Sequence, residues 1–178
     1  MNLTEPEVQQ PISSDAMVAV QEKLRLEAKL KNGAGWFFWI AGLSMINTVI
    51  VLFGSSWHFI FGLGITDIVG AIASNLGGIG QAAAVVVNAF IAGVLVLFGV
   101  FARKGARWAF IVGMVAYGLD GVLIGLFRDF LGLAFHAFAL YGIYKGMAAI
   151  SPLQAIKKSE LAVTPVHDNA EALAASSK

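Results

Sequence analysis

The chain has 178 residues, of which 58% are hydrophobic and 13% are charged, and its net charge is +1. Soluble domains are about one quarter charged, so this composition is typical of a membrane protein and gives no support for a nucleic-acid partner. Because cysteine is absent, disulfides, thiolate metal sites and cysteine nucleophiles are excluded. The first thirty residues contain no uninterrupted apolar run, so we expect no cleaved signal peptide.

The N-terminal region predicts a polar lead followed by a surface helix. Residues 1–14 contain two of the four prolines and are predicted to be disordered. Residues 15–32 are predicted to form an amphipathic helix, cytoplasmic or at the membrane interface, because Met17, Val20 and Leu24 share one face at helical spacing. The alternative is a solvated helix that leads into the first span.

Four apolar segments within residues 33–150 predict an all-α fold, a bundle of four transmembrane helices. Each segment is about 26–30 Å long at helical rise, which matches a hydrocarbon core of about 30 Å. Their approximate ranges are 36–53, 82–101, 108–127 and 130–146. Residues 151–178 are polar and alanine-rich, so they predict a flexible cytoplasmic tail that could contain a short helix.

The basic residues predict the orientation of these spans. If the N-terminus is cytoplasmic, eleven of the twelve Lys and Arg residues lie inside and only Arg128 lies outside, as the positive-inside rule expects. If residues 57–75 formed a fifth span, the later loops would change sides and the split would become five inside and seven outside. We therefore predict an integral protein of a bacterial-type cytoplasmic (inner) membrane, with both termini cytoplasmic.

The stretch "FGLGITDIVGAIASNLGGIG", residues 61–80, lies in the predicted outer segment 54–81. It is largely apolar, yet it contains six glycines and Asp67. Since the charge bias argues against a crossing, the segment is predicted to begin and end on the outer side, either re-entrant or in the interface. Non-helical backbone at membrane depth must be covered by protein or water, so we expect this segment to pack against the bundle.

Four polar residues are predicted to form a layer in the outer half of the bilayer. Counted from the outer ends of the spans, they lie about 9–12 Å below the outer surface. They are Asn47, Asn88, Asp120 and His136. The tight turn between the last two spans predicts that Asp120 and His136 face each other. A charge at a helix centre costs about 2.5–3.5 kcal/mol on insertion, so Asp120 is expected to point into the bundle.

The outer segment adds four polar residues above this layer, His58, Thr66, Asp67 and Asn75, of which His58 and Asp67 are the candidate site residues. The layer has two interpretations. It holds helices together, at roughly 0.6–2 kcal/mol per polar pair, or it is a ligand, ion or proton site. A metal site is a further alternative, but the spacing has no metal-ligand signature, so we predict no metal and no cofactor.

Small residues at helical spacing predict close contact between helix backbones. The positions concerned are Gly113, Gly121, Gly125, Gly142, Gly146, Ala89 and Gly93. These faces serve either packing within the four-helix unit or association between copies of the chain.

Three functional hypotheses follow from these features. The leading one is a small non-enzymatic membrane protein, acting as a structural or accessory subunit of a homo-oligomer or larger membrane complex. Its partners would then be the lipid bilayer and either copies of itself or another membrane protein. The alternative is a small ion- or proton-coupled channel or transporter that uses the polar layer. Acid–base catalysis by Asp120 and His136 is a third hypothesis.

Overall fold

The computed structural model describes residues 14–53 and 63–161, which are 92% helical and contain no strand. Residues 150–161 form a further helix that continues the last one after a turn at Ala149. The helices before it are, in chain order, α1 (Ser14–Leu52), α2 (Gly64–Ser74), α3 (Gly77–Arg103), α4 (Arg107–Leu126) and α5 (Phe130–Ala148).

The all-α prediction is confirmed, with four helices in the described part of the chain that are long and apolar enough to cross a membrane. These are α1, α3, α4 and the continuous stretch Phe130–Leu161. The segment α2 has 11 residues and is therefore about 16 Å long, which is too short to cross a hydrocarbon core of about 30 Å. It occupies part of the predicted outer segment, and α3 begins at Gly77 rather than near residue 82.

The surface helix and the first span, predicted as separate elements, form one helix. α1 has 39 residues and is about 58 Å long, which is about twice the thickness of a hydrocarbon core of about 30 Å. No proline interrupts it. The predicted apolar stripe containing Met17, Val20 and Leu24 is exposed, whereas Leu26 and Leu30 on another face are buried.

The beginning of α1 is covered by residues 150–161, which the sequence assigned mainly to a flexible tail. Ile150 and Leu153 belong to the same buried apolar cluster as Leu26 and Leu30. The Lys23 Nζ atom lies 2.7 Å from a Glu160 carboxylate oxygen, so the two helices run antiparallel. Apolar partners therefore order this part of the tail. Residues 1–13, which include most of the predicted lead, and residues 162–178 lie outside the described part.

The bundle is arranged around α1. This helix packs along α3 on one side and along α5 on the other, and α4 packs against α5. The Phe37 ring lies at the centre, with its centroid 6.2 Å from that of Phe110 and 6.2 Å from that of Phe98. Contact between α3 and α4 is less extensive, and an apolar groove of about 560 Å³ runs between them.

Several of the glycines predicted for helix packing lie at close contacts within the chain. A Cβ atom on Gly146 would lie 2.6 Å from the Gly33 Cα atom, so the backbones of α5 and α1 touch there. Gly142 lies against the Trp36 indole ring, and Gly113 lies against the Phe37 ring. Larger side chains at these positions would separate the helices.

The remaining predicted packing positions are less crowded. A Cβ atom on Gly121 would lie 3.2 Å from the His136 Cβ atom, and one on Gly125 would lie 3.8 Å from Leu133. Ala89 is exposed, and a Cβ atom on Gly93 would meet no atom within 4 Å. The Ala89 and Gly93 face of α3 is therefore unused by the described helices.

Candidate functional site

The Asp120 carboxylate binds the N-terminus of α2. Its Oδ2 atom accepts a hydrogen bond from the Gly64 backbone N–H at 2.9 Å, and its Oδ1 atom accepts one from the Ile65 N–H at 2.9 Å. The first N–H groups of a helix have no partner within it and carry partial positive charge. No side chain at the Leu63 N-cap satisfies them. Asp120 supplies this cap from α4.

His136 completes this site from α5. Its Nε2 atom lies 2.9 Å from Asp120 Oδ2, and its Nδ1 atom lies 2.8 Å from the Gly132 carbonyl oxygen. Asp120 is 7% exposed and His136 is 1% exposed. The structure thus brings together the two residues that the sequence predicted to face each other. We call Asp120, His136 and the two α2 amides that Asp120 binds the α2 latch.

Hydrogen-bond chemistry constrains the protons of the latch. A carbonyl oxygen only accepts, so His136 Nδ1 carries a hydrogen. One further proton lies between His136 Nε2 and Asp120, which makes the pair either imidazolium–carboxylate or doubly neutral. The two α2 amides on Asp120 favour the carboxylate, because charge-assisted hydrogen bonds are the stronger ones. In either form the pair has no net charge, which suits its burial.

Tyr117 packs against the latch, although the sequence analysis did not select it. Its ring stacks on the His136 ring with centroids 4.2 Å apart and planes 13° apart. Its side chain is buried, and its hydroxyl oxygen has no hydrogen-bond partner among the described residues. Tyr117 precedes Asp120 by three residues, so the two share a helix face. That spacing was the signal available in the sequence.

The other predicted polar residues form a second group between α1, α2 and α3. Asn47 Nδ2 donates to Asp67 Oδ1 at 2.9 Å. Asn88 Nδ2 donates to Thr48 Oγ1 at 3.0 Å, and the Thr48 hydroxyl donates to the Ser44 carbonyl oxygen at 2.9 Å. The predicted layer is therefore divided into two groups, which α2 joins.

The second group lines a cavity of about 340 Å³ between α1, α2 and α3, which we call the α2 cavity. The wall contains both polar and apolar side chains from these three helices. The polar side chains include Asn47, Thr48, Thr66, Asp67, Ser74, Gln81 and Asn88, and the apolar ones include Val51, Leu52, Ala84 and Val85. Thr66 was among the residues selected from the sequence, whereas Thr48 was not, since a threonine in an apolar helix has no distinctive pattern.

The last two points of the sequence analysis concern His58 and metal binding. His58 lies outside the described residues. As for metals, residues 14–53 and 63–161 hold no cluster of three or more His, Asp or Glu side chains suited to an ion.

No known protein family, curated protein or solved structure matches the chain. Function is therefore inferred from the α2 latch and the α2 cavity.

Proposed function

We propose that the chain is a small ion- or proton-coupled transporter or channel of a bacterial-type cytoplasmic membrane, with the α2 cavity as its solute site. Its four apolar helices cross the bilayer, both termini are cytoplasmic, and α2 lies on the outer side as a re-entrant or interfacial cap. The strong bias of Lys and Arg toward one side of this topology supports the orientation.

One observation carries the proposal: a single short helix takes part in both polar groups. The first two amides of α2 bind Asp120, and Asp67, one turn later, lies in the wall of the α2 cavity. Any change in the latch therefore acts on a helix that forms part of the cavity wall. Two polar sites that serve only to hold helices together do not need such a shared element.

Proton uptake by the latch would weaken its hold on α2. With a second proton, Asp120 is neutral while His136 is an imidazolium. The carboxyl group is then a weaker acceptor, and the buried positive charge lies beside the positive end of α2. Release of α2 opens the α2 cavity toward the outer side. Loss of the proton restores the cap.

This function predicts electrical currents that depend on both solute and pH. Proteoliposomes on a solid-supported membrane would be exposed to jumps of Na⁺, K⁺, ammonium and guanidinium at several pH values. We expect transient currents that fall at least about tenfold in Asp120→Asn, because an amide cannot take up and lose the proton that moves α2 between its two positions.

Glu22→Gln is the matched control, because it removes one exposed negative charge from the opposite end of α1. It should leave the currents unchanged. Currents no larger than those of empty liposomes under every condition would refute the transport function.

The second candidate is the structural or accessory subunit, and the exposed face of α3 favours it. Gly93 has open space beside it and Ala89 is exposed one turn before, so another helix could approach the α3 backbone closely there. A second copy of the chain or another membrane protein would supply that helix.

Disulfide cross-linking tests this candidate cleanly, since the native chain has no cysteine. If copies associate through α3, Gly93→Cys should form a covalent dimer under mild oxidation in the membrane, because bridged Cα atoms lie within about 7 Å. Gly42→Cys, on α1 and equally open, is the control that should remain monomeric. Equal cross-linking of both variants would indicate random collision and count against the α3 interface.

A further inference from the structure

The turn between α3 and α4 carries three exposed basic side chains, which we call the basic turn. Arg103 ends α3, Lys104 follows it, and Arg107 begins α4. None of the three forms an ion pair with an acidic side chain of residues 14–53 or 63–161. The ion pairs near the start of α1 lie within α1 or join it to residues 150–161. The positive charge of the basic turn is therefore not neutralised within the described chain, and it attracts anions.

The contacts of the basic turn place its charges without neutralising them. Lys104 Nζ lies 5.7 Å from the centroid of the Phe101 ring, and Arg107 Nη2 donates to Ser151 Oγ at 3.0 Å. The Arg103 guanidinium lies 4.4 Å from the centroid of an α1 phenylalanine ring. Aromatic rings and a hydroxyl group attract a cation but carry no net negative charge. A phosphate group would supply that charge and accept charge-assisted hydrogen bonds.

The apolar groove between α3 and α4, which we call the α3–α4 groove, is connected to the basic turn by a row of aromatic rings. Phe98 lines the groove, and its ring centroid lies 6.3 Å from that of Trp108. The Trp108 centroid lies 5.2 Å from that of Phe101, whose ring Lys104 Nζ approaches. Trp108 is 51% exposed. The groove and the basic turn therefore form one continuous surface, which is apolar along the helices and positive at the turn.

The α3–α4 groove is open along its side and suited to hydrocarbon. Phe90 and Leu119 on its walls are 73% and 66% exposed, whereas Leu95 is buried. The described lining is apolar except for the Tyr117 hydroxyl and for Asp120, whose two carboxylate oxygens are bound in the latch. The volume of about 560 Å³ lies within the usual range of small-molecule sites. An alkyl chain from the surrounding bilayer can therefore enter this groove sideways.

The length of the surface matches that of one lipid. Phe90 lies farthest from the basic turn among the α3 residues that line the groove, and it precedes Lys104 by fourteen positions. At helical rise this separation is about 21 Å. A bilayer with its headgroup regions is about 40–45 Å thick, so one leaflet is about 20–22 Å thick. A phospholipid whose headgroup lies at the basic turn would thus reach the far end of the groove.

We propose that the α3–α4 groove and the basic turn bind one anionic phospholipid of the cytoplasmic leaflet. Its phosphate lies beside Lys104 and Arg107, and one acyl chain lies along the groove past Trp108 and Phe98. The chain fills the space between two helices whose mutual contact is limited. This inference goes beyond the proposed function and uses only the membrane orientation that the function assumes.

Native mass spectrometry of the full chain tests the inference. The chain in non-ionic detergent is mixed with equal amounts of dioleoyl phosphatidylglycerol and dioleoyl phosphatidylcholine, which have the same acyl chains and differ in net charge. We expect one retained lipid per chain and a preference of at least about tenfold for phosphatidylglycerol, since each basic residue near a membrane surface adds to the attraction. Dioleoylglycerol, which has no phosphate, and inorganic phosphate, which has no acyl chain, should each be retained at least about tenfold less.

One double variant tests the position of the headgroup. Lys104→Gln with Arg107→Gln should reduce the preference for phosphatidylglycerol to less than about twofold, because two of the three charges are removed. Arg25→Gln with Lys158→Gln is the matched control, because it also removes one arginine and one lysine from exposed positions. It should keep the native preference, since the exposed ion pair that it breaks contributes little to stability.

A second variant tests the position of the acyl chain. Ala116 is exposed and lines the groove, so the ring of Ala116→Phe would occupy the groove without displacing a buried side chain. This variant should fold and should retain at least about tenfold less phosphatidylglycerol. Val115→Phe is the control, because Val115 is 58% exposed and is not among the described residues that line the groove. It should retain the lipid as the native chain does.

Several outcomes would overturn the inference. Equal retention of the two phospholipids by the native chain would do so, as would a preference unchanged in Lys104→Gln with Arg107→Gln or retention unchanged in Ala116→Phe. Retention of inorganic phosphate as strong as that of phosphatidylglycerol would indicate a site for free phosphate instead. Lipid-free dimers that Ala116→Phe disrupts would assign the groove to a second copy of the chain. None of these outcomes depends on currents in proteoliposomes, so the lipid site and the transport function stand or fall separately.

Discussion

Gly146→Ala is expected to lower the free energy of unfolding by about 3 kcal/mol, because overpacked sites that cannot relax lie at the upper end of the usual range. The added Cβ atom would lie 2.6 Å from the Gly33 Cα atom and 3.2 Å from its carbonyl carbon and amide nitrogen. These are backbone atoms, so no side chain can rotate away. The two longest stretches of helix, α1 and Phe130–Leu161, would have to separate.

The control for this substitution lies on α1 itself. A Cβ atom at Gly42 meets nothing within 4 Å, so Gly42→Ala adds the same methyl group without an overlap. It should be neutral or should stabilise the chain by up to about 1 kcal/mol, through the better helix propensity of alanine. Unfolding of both variants by denaturing detergent, followed by circular dichroism, measures the difference. Similar destabilisation by both would mean that the α1–α5 backbone contact is not a close one.

The sequence predicted some parts of the fold and missed others. Hydropathy alone located the four apolar helices, because a span must be apolar over its whole length. The predicted boundary near residue 33 was wrong, because α1 is continuous there and Gly33 serves the approach of Gly146. Which function a glycine has depends on a neighbour more than 100 residues away in the chain.

The candidate site, like the fold, was predictable only in part. The short turn between the last two spans was enough to bring Asp120 and His136 together, since it fixes both the distance and the depth of the two residues. The role of α2 in the latch was not predictable, because backbone N–H groups leave no residue-type signal in a sequence. Depth alone also could not tell that Asn47 and Asn88 face a cavity distinct from the latch, because rotation about each helix decides that.

Asp120→Ala is expected to be the second strongly destabilising substitution, and its effect should be concentrated on α2. It leaves His136 Nε2 and the Gly64 and Ile65 amides without their partner at a buried site. Breaking a buried charge pair costs about 3–5 kcal/mol. Since the Gly64 and Ile65 amides join α2 to α4, we expect α2 to detach while α1, α3, α4 and α5 stay packed.

Hydrogen exchange followed by mass spectrometry resolves this prediction by segment. In Asp120→Ala, peptides covering α2 should exchange at least about tenfold faster, whereas those covering α3 should change little. Asp129→Ala is the matched control at the same end of the bundle, because Asp129 caps α5 through the Gly132 N–H at 2.9 Å. It should speed exchange at the start of α5 and leave α2 protected.

The pattern of protection bears directly on function. A helix that is released by losing one carboxylate, while the rest of the bundle holds, has the property that a proton-controlled cap over the α2 cavity requires. Uniform acceleration along all helices in Asp120→Ala would instead mean that the Asp120–His136 pair stabilises the bundle as a whole. In that case α2 would not be a separately movable element, and the second candidate, a structural or accessory subunit, would become the better account of the chain.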